Sequence, residues 1–282
     1  MARDQDLQLR LDDADFMVID FETTGLSPES GDRVCEIGAV KLRGGAVIET
    51  FSTLINPERP ISAGAYAVNG ISPRMLVDAP TFSEIADKFA RMLKGTILVA
   101  YNAPFDVGFL VNEFRLLGYP PITNTVIDAL AVARRLLPGL GRYPQENVAS
   151  VMAIPFPVKH RALEDAMVTA RIFAVFSSIV KAYDCSTVHD FFRRDLASVL
   201  NAKRMHLVND ALERRQNLWI KYLSPTNFEI TDRIVSPQEW VSTGAGGGGG
   251  TYLLAYCHTA KGERNFRIDR ILDLRIINST TV

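Results

Sequence analysis

Val18-Ile19-Asp20-Phe21-Glu22-Thr23-Thr24-Gly25-Leu26 carries two carboxylates inside a run that otherwise reads as a buried β-strand. Side chains of a strand alternate faces, so Asp20 and Glu22 share one face with Val18, while Met17, Ile19 and Phe21 point the other way, into the core. Two carboxylates on one face repel each other unless a cation lies between them. A strand end where both charges reach solvent explains the pair equally well, so the decision rests on the rest of the chain.

Around this stretch the pattern is that of an α/β protein. Residues 15–21, 34–42 and 46–55 are β-type runs, the last two joined by Arg43-Gly44-Gly45 as a hairpin. Residues 56–73 carry loop chemistry rich in Pro, Gly, Asn and Ser. Thr81 with Glu84 forms a capping box for a helix over 81–94, with apolar Phe82, Ile85, Phe89 and Leu93. A strand at 96–100, a helix at 104–117, a strand at 124–127 and helices at 128–137 and 161–181 follow. Strands first, then alternating β and α, predict a sheet with an antiparallel portion.

Two later stretches add carboxylates. Asp106, in Asn102-Ala103-Pro104-Phe105-Asp106, falls in the first helical turn after a strand, a place where an Asp is also favoured simply by the helix dipole. In His160-Arg161-Ala162-Leu163-Glu164-Asp165-Ala166, five residues cannot share a helix face, so His160 belongs to the preceding loop and Asp165 to the second turn. Asp165 lies on the stripe with Ala162, Thr169 and Ile172, the side that packs inward, where a lone Asp is costly without a partner or a metal. Four carboxylates and one loop histidine are the inventory for two-metal phosphodiester hydrolysis. Hard oxygen ligands favour two Mg²⁺ or Mn²⁺ ions, and imidazole is the side chain that exchanges protons near neutral pH.

The three stretches, in this order, resemble the exonuclease motifs of the DnaQ-like DEDD family, histidine branch, over about residues 14–180. The resemblance implies a ribonuclease H-like mixed sheet with flanking helices and 3′→5′ release of nucleoside monophosphates. It also implies that Asp20, Glu22, Asp106 and Asp165 hold the metals and that His160 acts as the base. Thr23, Thr24 and Leu26 would hold the terminal nucleotide with Phe105 beside it, and Asn102 would brace the loop. Tyr101 and Asn69 stand where many relatives carry histidine, which leaves substrate details open.

After residue 182 the character changes. Residues 186–216 read as helical with basic pairs, and short β-like segments follow from 218. Residues 205–282 resemble the WYL domain, through Leu218-Trp219-Ile220-Lys221-Tyr222, Tyr252-Leu253-Leu254-Ala255-Tyr256 and Arg264-Asn265-Phe266-Arg267-Ile268-Asp269-Arg270-Ile271, with Thr251 replacing the tryptophan of the name-giving trio. The resemblance implies a small Sm/SH3-like β-barrel that binds nucleic acid or a nucleotide ligand. Tyr252, Arg264 and Arg267 are the candidates, as an aromatic platform with guanidinium groups; packed tyrosines and arginines paired with Asp269, Asp273 and Glu263 are the alternative. The run 244–250, GAGGGGG, is expected as a flexible loop within this region.

The expected division is an exonuclease domain at 1–182, a helical connector at 183–204 and a WYL domain at 205–282. The 282 residues, 47% hydrophobic, suffice for two domains and contain no membrane-length apolar run. Net charge is −1, with 17 Lys and Arg against 21 Asp and Glu in residues 1–180, and 14 against 11 thereafter. A charged N-terminus and three cysteines without metal or disulfide spacing lead to the expectation of a cytoplasmic protein with reduced thiols. The partner expected is single-stranded or 3′-ended DNA, or RNA. A non-catalytic regulator that binds nucleic-acid ends and a polymerase proofreading subunit are the alternative readings.

Overall fold

In the computed structural model, residues 3–156, 160–242 and 250–277 are described. The glycine run expected as a flexible loop lies outside them, apart from Gly250. The elements run α1 (Asp4–Leu7), β1 (Phe16–Thr23), β2 (Val34–Arg43), β3 (Ala46–Leu54), α2 (Ala63–Asn69), α3 (Pro73–Leu76) and α4 (Phe82–Leu93), with a 3-10 turn at Pro28–Ser30. They continue with β4 (Ile97–Ala100), α5 (Ala103–Leu116), β5 (Val126–Asp128), α6 (Ala129–Leu136), α7 (Gln145–Val151) and α8 (Ala162–Lys181). A 3-10 turn at Val188–Phe192 and α9 (Leu196–Arg214) precede β6 (Asn217–Leu223), β7 (Ile230–Ser242), β8 (Thr251–Cys257), β9 (Gly262–Arg267) and β10 (Ile271–Ile277).

These elements form two compact units. The first takes the chain up to Val132 with Pro144–Val175 and Ser186–Phe191, and the second takes Ala133–Tyr143, Phe176–Cys185 and the chain from Phe192. Residues 183–204 contribute to both units, and α9 runs without a break through residue 205.

The first unit holds a five-stranded sheet of order β3-β2-β1-β4-β5. β1, β2 and β3 are antiparallel and β4 and β5 run parallel to β1, as the strand-then-alternation pattern requires. Gly44 (φ +57°) and Gly45 (φ +82°) turn the β2–β3 hairpin, since both positions need the left-handed backbone that glycine adopts freely. The Thr81–Glu84 capping box is formed at the start of α4. α2 arises where the composition reads as loop, and α7 in a stretch to which the sequence pattern assigned no element; α2 is started by Ser62, whose hydroxyl accepts from the Ala65 N–H, and is stopped by Gly70.

Both faces of β1 are covered. Met17, Ile19 and Phe21 join Phe82, Phe89, Phe109 and Phe114 in one core cluster. Each such side chain contributes about 1.5–3 kcal/mol on burial, which offsets the cost of placing carboxylates nearby. On the opposite face Val18 is fully buried, and Phe16 meets Phe173 of α8 edge to face at 4.8 Å. From Phe173 back to Asp165 the helix rises about 12 Å, and from Phe16 to Asp20 the strand advances about 13 Å. The packing that buries Phe16 therefore brings Asp165 level with the carboxylates of β1.

The second unit holds a five-stranded antiparallel sheet of order β10-β6-β7-β8-β9. β7 pairs with β6 through its first half and with β8 through its second, with an irregularity between Pro237 and Glu239. The segment read as one strand, Asn265–Ile271, is divided by a 3-10 turn at Ile268–Arg270, which leads from one edge strand of the sheet to the other. The three cysteines are buried and form no disulfide with one another. No helix among the described residues is long and apolar enough to cross a membrane.

Candidate active site

The C-terminal end of β1 opens into a cleft of about 710 Å³ in the first unit. Asp20, Glu22, Asp106, His160 and Asp165 all line it, together with Thr23, Leu26, Asn102 and Phe105. No Lys or Arg is among the described residues that line it.

Each carboxylate is held by a local cause. β4 pairs with β1 only as far as Val18–Val99, so the Phe21 N–H lies beyond the end of the ladder. Asp106, in the first turn of α5, takes that donor through Oδ1 at 2.9 Å. Asp20 faces Gly38 across the β1–β2 pair, and Glu22 faces Glu36. Asp165 accepts the His160 backbone N–H on Oδ2 at 2.9 Å, while its Oδ1 is buried without a hydrogen-bond partner among the described residues. His160 has a left-handed backbone (φ +58°) and an exposed side chain. Its ring can present a nitrogen within 4.8 Å of carboxylate oxygens of both Glu22 and Asp165.

These carboxylates resist ionisation. Asp20 keeps partial exposure to the cleft, yet burial first, and then Asp106, Asp165 and Glu22, hold its carboxyl well above the usual range. Burial, followed by the charges of Asp165 and Glu36, pushes Glu22 to about 7. Burial raises Asp106 to about 8 in spite of the Phe21 N–H. Asp165 rises to about 6 by burial, moderated by the His160 N–H. Desolvated carboxylates that repel one another, a buried oxygen without a hydrogen-bond partner among the described residues and no Lys or Arg lining the cleft among them together fit a hard divalent cation. Asp20, Glu22, Asp106 and Asp165 are the residues that could supply oxygens to it.

A second set of polar groups, not identified from the sequence, fixes the first. Glu36 accepts from Arg161 and from the Ala162 N–H at the start of α8. Glu113 of α5 accepts two bonds from Arg33 and one from the Val34 N–H. Asp128 Oδ1 accepts from the backbone N–H groups of Asn102, Ala103 and Leu130, which holds the left-handed Asn102 (φ +67°) at the head of α5. Gln145 of α7 donates to the Asp165 carbonyl and to Thr169. Gly38 admits α8, because a Cβ there would lie 2.1 Å from the Ala162 backbone. The available signal was a charge inside an apolar strand, Cys35-Glu36-Ile37-Gly38-Ala39, two residues from a glycine.

One expected nucleotide contact is differently placed. Thr24 is fully buried; its hydroxyl donates to Asp32 and accepts from the Arg33 N–H. The β1–β2 register shifts between Glu22 and Thr23, so strict alternation ends before Thr24. Thr23 lines the cleft and donates to the Gly25 carbonyl, and Leu26 is 85% exposed at its edge. In the second unit, Tyr252 faces Arg267 across β8–β9, whereas Arg264 faces Ala255 and therefore lies on the other side of the sheet. Arg267 is engaged by Asp269 through two bonds, and Arg264 donates to the Glu263 carbonyl. The three candidates are not brought together.

Residues 17–173 match the RNase T exonuclease family, and residues 204–276 match the WYL domain. The DNA polymerase III subunit epsilon of Treponema pallidum (strain Nichols) is 44% identical over 160 residues, 56% of this chain and 74% of that protein. The PolC-type DNA polymerase III of Caldanaerobacter subterraneus subsp. tengcongensis is 41% identical over 161 residues, 57% of this chain but 11% of that much longer protein. E. coli exonuclease I, solved in complex with a dA16 oligonucleotide, aligns with a TM-score of 0.54 and 17% identity over 94% of this chain and 63% of that one, a likeness of fold. The chain belongs to the RNase T exonuclease family, of the DnaQ-like type, with a WYL domain at its C-terminal end.

Proposed function

We propose that the chain is a divalent-metal-dependent 3′→5′ exonuclease that releases nucleoside 5′-monophosphates from DNA or RNA 3′ ends. The observation that carries this reading is the convergence of four carboxylates and His160 on one cleft, with an Asp165 oxygen buried and unpartnered. When bound, two Mg²⁺ or Mn²⁺ ions supply activation of the attacking water and neutralisation of charge on the leaving 3′ oxygen. Asp20, Glu22, Asp106 and Asp165 are the residues that would hold them. The imidazole of His160 takes the proton of the attacking water and, being exposed, passes it to solvent.

Leu26 and Phe105 offer apolar surface to the terminal sugar and base, and the Thr23–Gly25 hydrogen bond fixes the turn that carries Leu26. Among the described residues no Lys or Arg lines the cleft, so charge compensation of the substrate phosphate would fall to bound cations. Residues 1–182 are proposed as the catalytic domain, 183–204 as its connector and 205–282 as a module that binds nucleic acid or a nucleotide. For that module Tyr252 and Arg267, on one face of the sheet, are better supported than Arg264.

The test is a panel of matched 3′-labelled DNA and RNA oligonucleotides, single-stranded and recessed, with Mg²⁺ or Mn²⁺ and with chelator. Metal-dependent release of 5′-mononucleotides from the 3′ end is expected; cleavage that persists in chelator, or internal cuts, would contradict the reading. A second reading, polymerase proofreading, is favoured by likeness to the epsilon subunit and to PolC. It requires stable capture of the replicative polymerase by the full-length chain in a pull-down.

A further inference from the structure

We propose that Glu36 and Arg161 form a positioning pair that fixes His160 over the carboxylates. The inference rests on the exonuclease reading, and it adds two residues that do not line the cleft.

His160 occupies a left-handed backbone conformation, sparsely populated for a residue with a side chain, so its neighbours must hold it there. On its C-terminal side the next residue, Arg161, reaches across to β2. Its Nη2 donates to Glu36 Oε1 at 2.7 Å, and its Nε lies 3.2 Å from both carboxylate oxygens. The same carboxylate accepts the Ala162 N–H at 3.1 Å. One buried group thus grips the side chain of residue 161 and the backbone of residue 162. The His160 N–H closes the turn on Asp165.

Glu36 differs from its cross-strand neighbour Glu22 in a way that identifies its role. It is 2% exposed and does not line the cleft, and both oxygens are occupied by donors of the α8 start. Gly38, on the same face of β2, lets the Ala162 backbone approach closely enough for those bonds to form. Arg161 must be arginine because a planar fork reaches both oxygens at once, whereas a lysine offers one point of charge.

The experiment uses the full-length chain, a 3′-labelled oligonucleotide and saturating Mg²⁺. Arg161→Ala is expected to lower kcat about 10–100-fold, the range for residues that orient catalytic groups, with KM changed by less than about twofold. Arg161→Lys should behave like Arg161→Ala, and added guanidinium should restore part of the rate to Arg161→Ala but none to His160→Ala. Arg161→Met, which keeps the apolar stem, carries the same expectation if the alanine variant unfolds. Independently of activity, ¹⁵N-histidine NMR should show the His160 resonances of Arg161→Ala moving toward those of a mobile histidine.

An unchanged kcat, a loss confined to KM, or unchanged His160 resonances in a folded Arg161 variant would overturn the positioning role. An inactive wild type would instead defeat the exonuclease reading, and the NMR comparison would then decide the pair alone.

Discussion

Two sets of carboxylates belong to the first unit, and the protein pairs one of them more fully than the other. In the frame around the cleft, Glu36, Glu113 and Asp128 each accept two or more donors from arginine or backbone. At the cleft floor, Asp106 accepts the Phe21 N–H on Oδ1 and Asp165 accepts the His160 N–H on Oδ2, and the Asp165 Oδ1 has no hydrogen-bond partner among the described residues. Burial of an unpaired charge costs several kcal/mol where a paired one is tolerated. The frame is thus built for the folded protein, and the floor is built for something that binds it.

The largest expected consequence concerns the floor. Asp20→Ala or Asp165→Ala should abolish metal-dependent release of nucleotides, and chelation should do the same to the wild type. Retained turnover in either variant would place the chemistry elsewhere. Next, His160→Ala should lower kcat by about 10²–10⁴-fold, the contribution of a general base, while Mn²⁺ binding measured by paramagnetic resonance stays near the wild-type value. Simultaneous loss of metal binding would make His160 a ligand.

The frame should respond through stability. Gly38→Ala puts a methyl into the α8 backbone, an overpacking that typically costs about 1–3 kcal/mol, read as a lower Tm together with reduced activity. An unaltered melt would mean that α8 can shift without penalty.

A further effect makes the floor sensitive to pH. The folded floor carboxyls bind protons more tightly than their unfolded counterparts, at about 6 for Asp165, 7 for Glu22 and 8 for Asp106. Their favourable contribution is therefore complete below the unfolded values near 4 and disappears as pH rises through 6 to 8. Metal-free protein should accordingly lose Tm between pH 5 and pH 8, Mg²⁺ should restore it at pH 8, and Glu22→Gln should flatten the profile. A metal-free Tm that rises over this window would contradict the assignment. Smallest of all, Arg267→Ala removes a partly exposed ion pair with Asp269, worth about 0–1 kcal/mol, so the Tm should hardly move. A weakened affinity for single-stranded DNA in that variant would support a binding role for the second unit.

The floor was largely legible in the sequence because its residues break local rules. Asp20 and Glu22 interrupt an apolar strand, and Asp165 stands on an apolar stripe, so each announced a cost in need of an explanation. The frame was illegible for the opposite reason. Arg161 and Arg33 look like ordinary surface charges until the fold places them opposite Glu36 and Glu113, at separations of 125 and 80 residues, and of the frame only Glu36 interrupts an apolar strand as the floor residues do. Thr24 was expected beside the nucleotide from the resemblance alone, and the register shift at Glu22–Thr23, after which its side chain is fully buried, cannot be seen in composition. The α2 segment was read as loop since its Ser, Gly and Asn serve equally well as helix caps. Likewise Arg264 was grouped with Arg267 by proximity in sequence, although an odd spacing of three residues puts them on opposite faces of β9.

The most direct measurement compares the wild type with an Asp20→Ala/Glu22→Ala double variant, both full length and purified identically, on a 3′-labelled oligonucleotide with Mg²⁺ or Mn²⁺. The account expects stepwise loss of 3′-terminal nucleotides from the wild type and none from the double variant. Robust nuclease activity in the double variant, with contamination excluded, would contradict it.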